Sequence, residues 1–208
     1  MRTNLLSLKP LCLAALLCAS AAAHAGITVY TSQSDFLAAV SAPGTDSYDD
    51  LSVGPYGDNL NRIAGAYSYT VSSPNGGIWG AGGPTDFWLS NGSRLDSITF
   101  SNFSGGVNAF GGFFFASDIN GQFVPSGDMV LTASDGSTLT YTLTGTNQTS
   151  FLGFVSDSAI SSVTLMSSQD GTYWATANDV VLAVPEPATY GMFLAGLGFV
   201  GLMARRRG

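Results

Sequence analysis

Four residue types are missing from most of this 208-residue chain. Between residues 26 and 183 there is no Cys, His, Lys or Glu, and the ionised side chains are 13 Asp with Arg62 and Arg94. Without His, Cys and Lys, the usual activated nucleophiles and the usual zinc sites are excluded from this stretch. The resulting formal charge of −11 excludes a nucleic-acid-binding surface, which needs clustered Lys and Arg.

The remaining composition predicts a packed domain rich in β-structure. The chain is 45% hydrophobic, 12% aromatic and 10% charged, with 26 Gly that separate short segments rich in Val, Ile and Thr. Its length allows one ordinary domain with appendages. We therefore predict a signal peptide at residues 1–25, an exported domain at 26–183 and a C-terminal sorting segment at 184–208.

The N-terminus has the organisation of an export signal. Arg2 and Lys9 form a positive region, and residues 11–23 form an apolar stretch that is too short to span a bilayer stably. Ala23 and Ala25 supply the small side chains that a signal peptidase requires on the N-terminal side of its cleavage site. We predict cleavage before residue 26.

Both cysteines of the chain lie within this predicted signal peptide, so the mature protein would have no disulfide. Two other interpretations of the N-terminus are less favourable. Cys18 would be the lipidated residue of a lipoprotein, but the bulky Leu17 precedes it where a small residue is needed. A buried core helix at residues 11–23 would explain neither the flanking charges nor the alanine-rich end.

The C-terminus combines three features in a fixed order. Val184, Pro185, Glu186 and Pro187 come first, then an apolar run at residues 190–204, and then a cationic cluster at the end of the chain: Arg205, Arg206 and Arg207. The two prolines predict an extended, accessible segment that does not continue a strand. The apolar run predicts a short transmembrane helix, and the cluster of arginines predicts a cytoplasmic end.

This arrangement resembles the PEP-CTERM sorting signal of Gram-negative bacteria. The resemblance implies export across the inner membrane, transient residence in that membrane, and recognition of the Pro-Glu-Pro region by an exosortase. It also implies a final location in the cell envelope, at the cell surface or outside the cell, often together with exopolysaccharide or a biofilm. A C-terminal segment of this kind sometimes carries an ice-binding-protein label, which describes the tail and no activity. A plain single-span anchor is the alternative interpretation.

Between the two termini, the pattern of short strands and polar turns predicts an all-β fold, a single antiparallel β-sandwich of jelly-roll type. One short helix is predicted at 34–40, with Ser34 as its N-cap. The predicted strands are 27–31, 66–72, 94–100, 107–116, 129–133, 138–143, 151–155, 160–166 and 179–183. The glycine-rich segments 80–84 and 104–106 are predicted to be loops.

The segment 128–143 predicts a β-hairpin. A three-residue loop at 134–136 would place Leu131 opposite Leu139 and Met129 opposite Tyr141, which gathers the apolar side chains on one face. A two-residue turn at 135–136 would place Leu131 opposite Thr140 instead. The register with the three-residue loop is preferred, and it places a row of threonines on a solvent-exposed outer face.

Calcium is the one cofactor that the sequence suggests. Clustered Asp side chains repel one another, and oxygen-rich loops that bind Ca²⁺ would relieve that repulsion. The strand count and the domain ends also resemble those of jelly-roll carbohydrate-binding modules. That resemblance implies a structural Ca²⁺ shared by the first and last strands, which here points to Asp49, Asp50 and Asp179.

The aromatic residues Trp79, Trp88, Tyr173 and Trp174 lie in Gly-, Asn- and Asp-rich sequence that predicts loops. They either cover the ends of the core or stack on sugar rings. The sequence therefore favours a non-enzymatic surface or matrix protein associated with exopolysaccharide. A carbohydrate-binding module is the second interpretation, and a glycosidase that uses two Asp carboxylates is the third.

Overall fold

The computed structural model describes residues 26–168 and 172–185, which form fifteen strands and one short helix. The helix is α1 (Gln33–Ala38). The strands are β1 (Ile27–Tyr30), β2 (Val40–Asp46), β3 (Gly54–Gly57), β4 (Asn59–Ala64), β5 (Tyr67–Ser72), β6 (Ile78–Gly83), β7 (Asp86–Asn91), β8 (Ile98–Ser101), β9 (Ala109–Ser117), β10 (Phe123–Val124), β11 (Gly127–Ser134), β12 (Thr138–Thr146), β13 (Phe151–Ser156), β14 (Ser162–Ser167) and β15 (Trp174–Pro185).

The strands form two antiparallel sheets, so the prediction of an all-β sandwich is confirmed. The larger sheet has the order β1-β13-β9-β15-β7-β6-β3, with β10 paired to β9 and β2 paired to β15. The smaller sheet has the order β12-β11-β14-β8-β5-β4. In the part of the chain that the structure describes, no helix is long and apolar enough to cross a membrane. The predicted signal peptide and C-terminal helix lie outside the described residues.

A continuous apolar core lies between the two sheets. Strand β9 is central in the larger sheet and supplies Phe110 and Phe114, whose stacked rings are 6.2 Å apart between centroids. Phe100 of β8 in the smaller sheet meets the ring of Phe110 at 5.0 Å. All three side chains are fully buried. No disulfide links the described residues, so the burial of this core, including its aromatic rings, holds the two sheets together.

The helix begins earlier than predicted. Its N-cap is Ser32 and not Ser34, because Ser32 has extended backbone angles and its hydroxyl accepts the backbone N–H of Asp35 at 3.4 Å. Phe36 faces inward from this single turn and is fully buried. The helix ends at Ala38, and the chain passes directly into β2.

The predicted hairpin is present, but its loop is shifted by one residue. Ser134 pairs with Thr138, and Leu131 therefore lies opposite Tyr141, with Met129 opposite Leu143. The loop forms at residues 135–137 because the Asp135 carboxylate accepts the backbone N–H of Ser137 at 2.9 Å. The apolar face is unchanged, because the shift keeps the same alternation along both strands.

Several strands were missed by the sequence analysis. Residues 80–83 are part of β6 and not of a loop, and their glycines allow close backbone approach. A Cβ atom at Gly80 would collide with the carbonyl of Ser52. The strand predicted at 94–100 begins only at Ile98, since the N–H of Asp96 closes a turn onto the Ser93 carbonyl at 3.0 Å. The segment 104–106 is a loop, as predicted.

Candidate functional site

Two tryptophans lie on the outer face of the larger sheet. Trp79 of β6 pairs with Ser90 of β7, which pairs with Thr176 of β15, so these three residues share one face. Trp174 is two residues from Thr176 along β15 and therefore lies on the same face. Strand spacing and rise per residue place the two tryptophan Cα atoms about 12 Å apart.

A loop at residues 118–121 forms a wall beside this face. Asp118 Oδ1 accepts the backbone N–H groups of Asn120 at 2.8 Å and Gln122 at 2.9 Å, which folds the loop into a compact turn. The loop is fastened to β6, because the N–H of Gly82 donates to the Gly121 carbonyl at 2.9 Å. The positive φ of Gly82, 95°, suits glycine at this contact.

Sheet face and loop together enclose a cavity of about 420 Å³, within the size range of small-ligand sites. We call it the tryptophan groove. It is lined by Trp79, Ser90 and Asn91 of the β6–β7 pair, by Trp174 of β15, by Val53 and by residues 118–121. Val53 and Ile119 are 57% and 79% exposed, so its rim is apolar and open to solvent. An apolar rim around a few polar groups suits a ligand with both kinds of surface.

The three tryptophans of the domain have different environments, and all three lie in strands and not in the predicted loops. Trp79 is 38% exposed in the groove. Trp88 is buried and meets Phe115 edge-on, with centroids 5.3 Å apart, so it belongs to the packing beneath the loop. Trp174 is partly buried and has the Arg94 guanidinium 5.9 Å from its ring centre. Tyr173, just before β15, is not among the groove-lining residues.

Asp50, one of the predicted calcium ligands, is held by an arginine. The guanidinium of Arg62 donates to both oxygens of Asp50, at 2.8 and 2.6 Å, and to both oxygens of the buried Asp46. The hydrogen bond from Arg62 lowers the pKa of Asp50. Burial opposes the charge on Arg62, but its bonds to Asp50 and Asp46 raise its pKa.

The other two predicted ligands, Asp49 and Asp179, lie close enough to interact electrostatically. Desolvation raises the pKa of Asp179, and the carboxylates of Asp86 and Asp49 raise it further. Asp86 also accepts the side-chain N–H of Asn178 at 3.1 Å. Among the described residues, no group of three or more Asp, Glu, His or Cys side chains is arranged to hold a metal ion. The calcium site stays a prediction.

The polar residues of the groove were missed by the sequence analysis. Ser90 and Asn91 belong to β7, whose short apolar run from Phe87 to Leu89 was a usable strand signal. The glycines of β6 obscured its pairing with β7. Asp118 lies in a turn, and its position beside two tryptophans depends on contacts between distant strands.

The first two residues of the predicted sorting motif lie within the sandwich. Val184 pairs with Ser41, and Pro185 pairs with Val40 at the end of β15. The expectation that Pro185 does not continue a strand is wrong. Pro185 occupies the last strand position, where its carbonyl accepts the Ser41 hydroxyl at 3.3 Å. Glu186, Pro187, the arginine cluster, Ala23 and Ala25 lie outside the described residues.

Comparisons with known proteins identify the tail. Residues 183–207 match the family model of the PEP-CTERM protein-sorting motif. The motif implies exosortase as the processing partner and export to the envelope of a Gram-negative bacterium. No curated protein matches the chain. The solved structure of TmCBM61 in complex with β-1,4-galactotriose is similar at a TM-score of 0.32 and 11% identity, covering 55% of this chain and 88% of that one. A similarity at that level carries no functional argument.

Proposed function

We propose that this chain is an exported, non-enzymatic surface or extracellular-matrix protein. An exosortase sorts it through its tail, and its β-sandwich binds polysaccharide in the tryptophan groove. The sorting motif at residues 183–207 supports the location. The observation that carries the binding role is the placement of Trp79 and Trp174 on one face of the larger sheet, beside polar side chains in the same cavity.

The groove matches the chemistry of a sugar chain. Pyranose rings have apolar C–H faces and polar hydroxyl edges, so they pack on aromatic rings and hydrogen-bond at the same time. Trp79 and Trp174 offer two aromatic surfaces separated by about two strand spacings. Ser90 and Asp118 supply polar atoms between and beside them. An extended polymer would contact both tryptophans at once.

Glycosidase activity has less support in this groove. Two-carboxylate hydrolysis needs a pair of carboxyl groups across the scissile bond, about 5 to 9.5 Å apart. In the described part of the chain, the groove lining contains one carboxylate, that of Asp118, and one of its oxygens already holds the loop together. Binding without turnover is the simpler function for this arrangement.

The test is glycan binding by the full protein purified from its host, first on a glycan array and then by titration. We expect binding to polysaccharide, and Trp79→Ala and Trp174→Ala each to weaken it by about tenfold or more. Ile63→Ala is the matched control, because Ile63 is 68% exposed and lies on the opposite sheet. The binding role fails if the wild type binds no glycan, or if both tryptophan variants bind as well as the control.

A further inference from the structure

The carboxylate in the tryptophan groove has one oxygen with no protein partner among the described residues. Asp118 Oδ1 accepts two backbone N–H groups, and these bonds fix the direction of the side chain. Its second oxygen makes no hydrogen bond within the described residues. Because an ionised carboxylate is an acceptor only, this oxygen can pair with a ligand hydroxyl but repels a ligand carboxylate.

A neutral side chain in the same groove also offers an acceptor. The Ser90 hydroxyl donates its hydrogen to the Ala175 carbonyl at 2.9 Å, which leaves its lone pairs for another partner. Asn91, the next residue of β7, is directed to the core side of the strand, where its side-chain nitrogen donates to the Asp96 carbonyl at 3.0 Å. The groove thus presents the acceptors of Asp118 and Ser90, which suit a donor-rich ligand.

The net negative charge of the domain also disfavours an anionic ligand. Residues 26–183 contain 13 Asp and two Arg, so an anionic polymer is repelled at long range. Arg62 is engaged by Asp46 and Asp50. Arg94 lies against the ring of Trp174 but is not part of the groove lining. No Arg or Lys side chain lines the groove within the described residues.

From these observations we infer that the ligand of the tryptophan groove is an uncharged polysaccharide, recognised by its hydroxyl donors and ring faces, and that polymers bearing carboxylates or sulfates are excluded. This inference rests on the proposed glycan-binding function. It names the chemical class of the ligand, which the tryptophans alone do not determine, since aromatic stacking tolerates charged and uncharged sugars equally.

The experiment titrates the full protein with soluble neutral hexose polymers (a glucan, a galactan and a mannan) and with a polyuronate and a sulfated polysaccharide. We expect at least one neutral polymer to bind about tenfold or more tightly than either anionic polymer at low salt. Added NaCl should reduce this difference in affinity, because it screens the repulsion between the protein and the anionic polymers. The affinity for the neutral polymer should not decrease. Equal or tighter binding of an anionic polymer overturns the inference but leaves the glycan-binding function intact. Failure of every polymer to bind refutes that function and the inference together.

Two variants distinguish the effect of the groove carboxylate from the effect of the protein's net charge. Asp118→Asn keeps an oxygen for the loop bonds and removes the charge, so the preference for neutral over anionic polymers should fall severalfold. Asp157→Asn removes the same charge at an exposed site beyond β13, outside the groove, and should leave the preference unchanged. Equal effects of the two variants would show that net charge alone sets the preference, which contradicts recognition by the groove.

Discussion

At the scale of single residues, Arg62 pairs with two carboxylates, whereas Asp179 lies among other carboxylates. The Arg62 guanidinium lies 5.2 Å from the Tyr48 ring centre and forms ion pairs with both Asp46 and Asp50. The side chain of Asp46 is 4% exposed, so this pair would be costly to break. Among the described residues, no cation offsets the effect of Asp86 and Asp49 on the carboxyl group of Asp179.

Asp179→Asn should therefore stabilise the protein at neutral pH. The folded-state pKa of Asp179 is raised by desolvation and then by Asp86 and Asp49, so its proton is held more tightly in the folded state. This raised pKa contributes its full stabilisation of the fold below the ordinary pKa of 3.8. The contribution is lost as the pH rises through the folded-state pKa of Asp179. Asn suits the positive φ of 46° at this position. We expect a thermal midpoint about 1–2 °C higher at pH 7, with a difference that disappears in acid. A difference independent of pH would contradict this assignment.

The same variant tests calcium. If Ca²⁺ binds near Asp49 and Asp179, millimolar Ca²⁺ should raise the thermal midpoint of the wild type above its value in EDTA, as expected for a ligand of the folded state. Asp179→Asn and Asp49→Asn should abolish the increase, whereas Mg²⁺ and NaCl should not reproduce it. Asp50→Asn is a poor choice here because Asp50 pairs with Arg62. Equal responses to Ca²⁺, Mg²⁺ and NaCl would indicate only charge screening.

At the scale of secondary-structure elements, the short helix is fixed by one side chain and two glycines. Phe36 of α1 is fully buried and packs against Phe151, with ring centroids 5.4 Å apart. It lies over Gly111 of β9 and Gly153 of β13, where a Cβ atom would contact its ring. The glycines of these two central strands thus make room for the helix on the outer face of the larger sheet.

Phe36→Ala should destabilise the fold by about 3–5 kcal/mol, because it removes a large buried ring and leaves a cavity. Leu37→Ala is the control on the same helical turn, since Leu37 is 38% exposed, and it should cost under about 1 kcal/mol. Urea denaturation of the two variants measures the difference. Similar losses would show that the helix is not held through Phe36.

The sequence predicted the elements that follow a clear periodicity. The alternation in β11 and β12 revealed the apolar face correctly, although local bonding by Asp135 moved the loop by one residue. Strand β6 was missed because glycine has low strand propensity, and its role depends on backbone contact with Ser52. The groove could not be predicted either, because it also depends on contacts between strands that are distant in sequence. Trp79, Asp118 and Trp174 are far apart in sequence, and only the pairing of β6, β7 and β15 brings them together.

At the scale of the whole molecule, the sorting motif begins without a linker after the sandwich. Strand β15 supplies Trp174 to the groove at one end and Val184 and Pro185 to the motif at the other. The matched segment starts at residue 183, inside the paired part of this strand. The sorting tail and the candidate binding site are therefore connected by a single strand of the larger sheet.

Processing at both ends is the expected fate of the exported chain. Intact-mass analysis of protein from the native host should show loss of residues 1–25 and of the C-terminal apolar segment. A mature species that retains Arg205, Arg206 and Arg207 would show that the tail serves as an anchor and that exosortase cleavage does not occur.

The central claim is that the tail delivers the sandwich to the envelope or matrix and the groove holds polysaccharide there. The most direct measurement is the distribution of the protein between the polysaccharide fraction and the soluble fraction of a host culture. We compare the wild type with the double variant Trp79→Ala/Trp174→Ala. The account predicts that the wild type stays with the polysaccharide, whereas the double variant is processed normally and is released into the soluble fraction. Equal retention of the two proteins would contradict it.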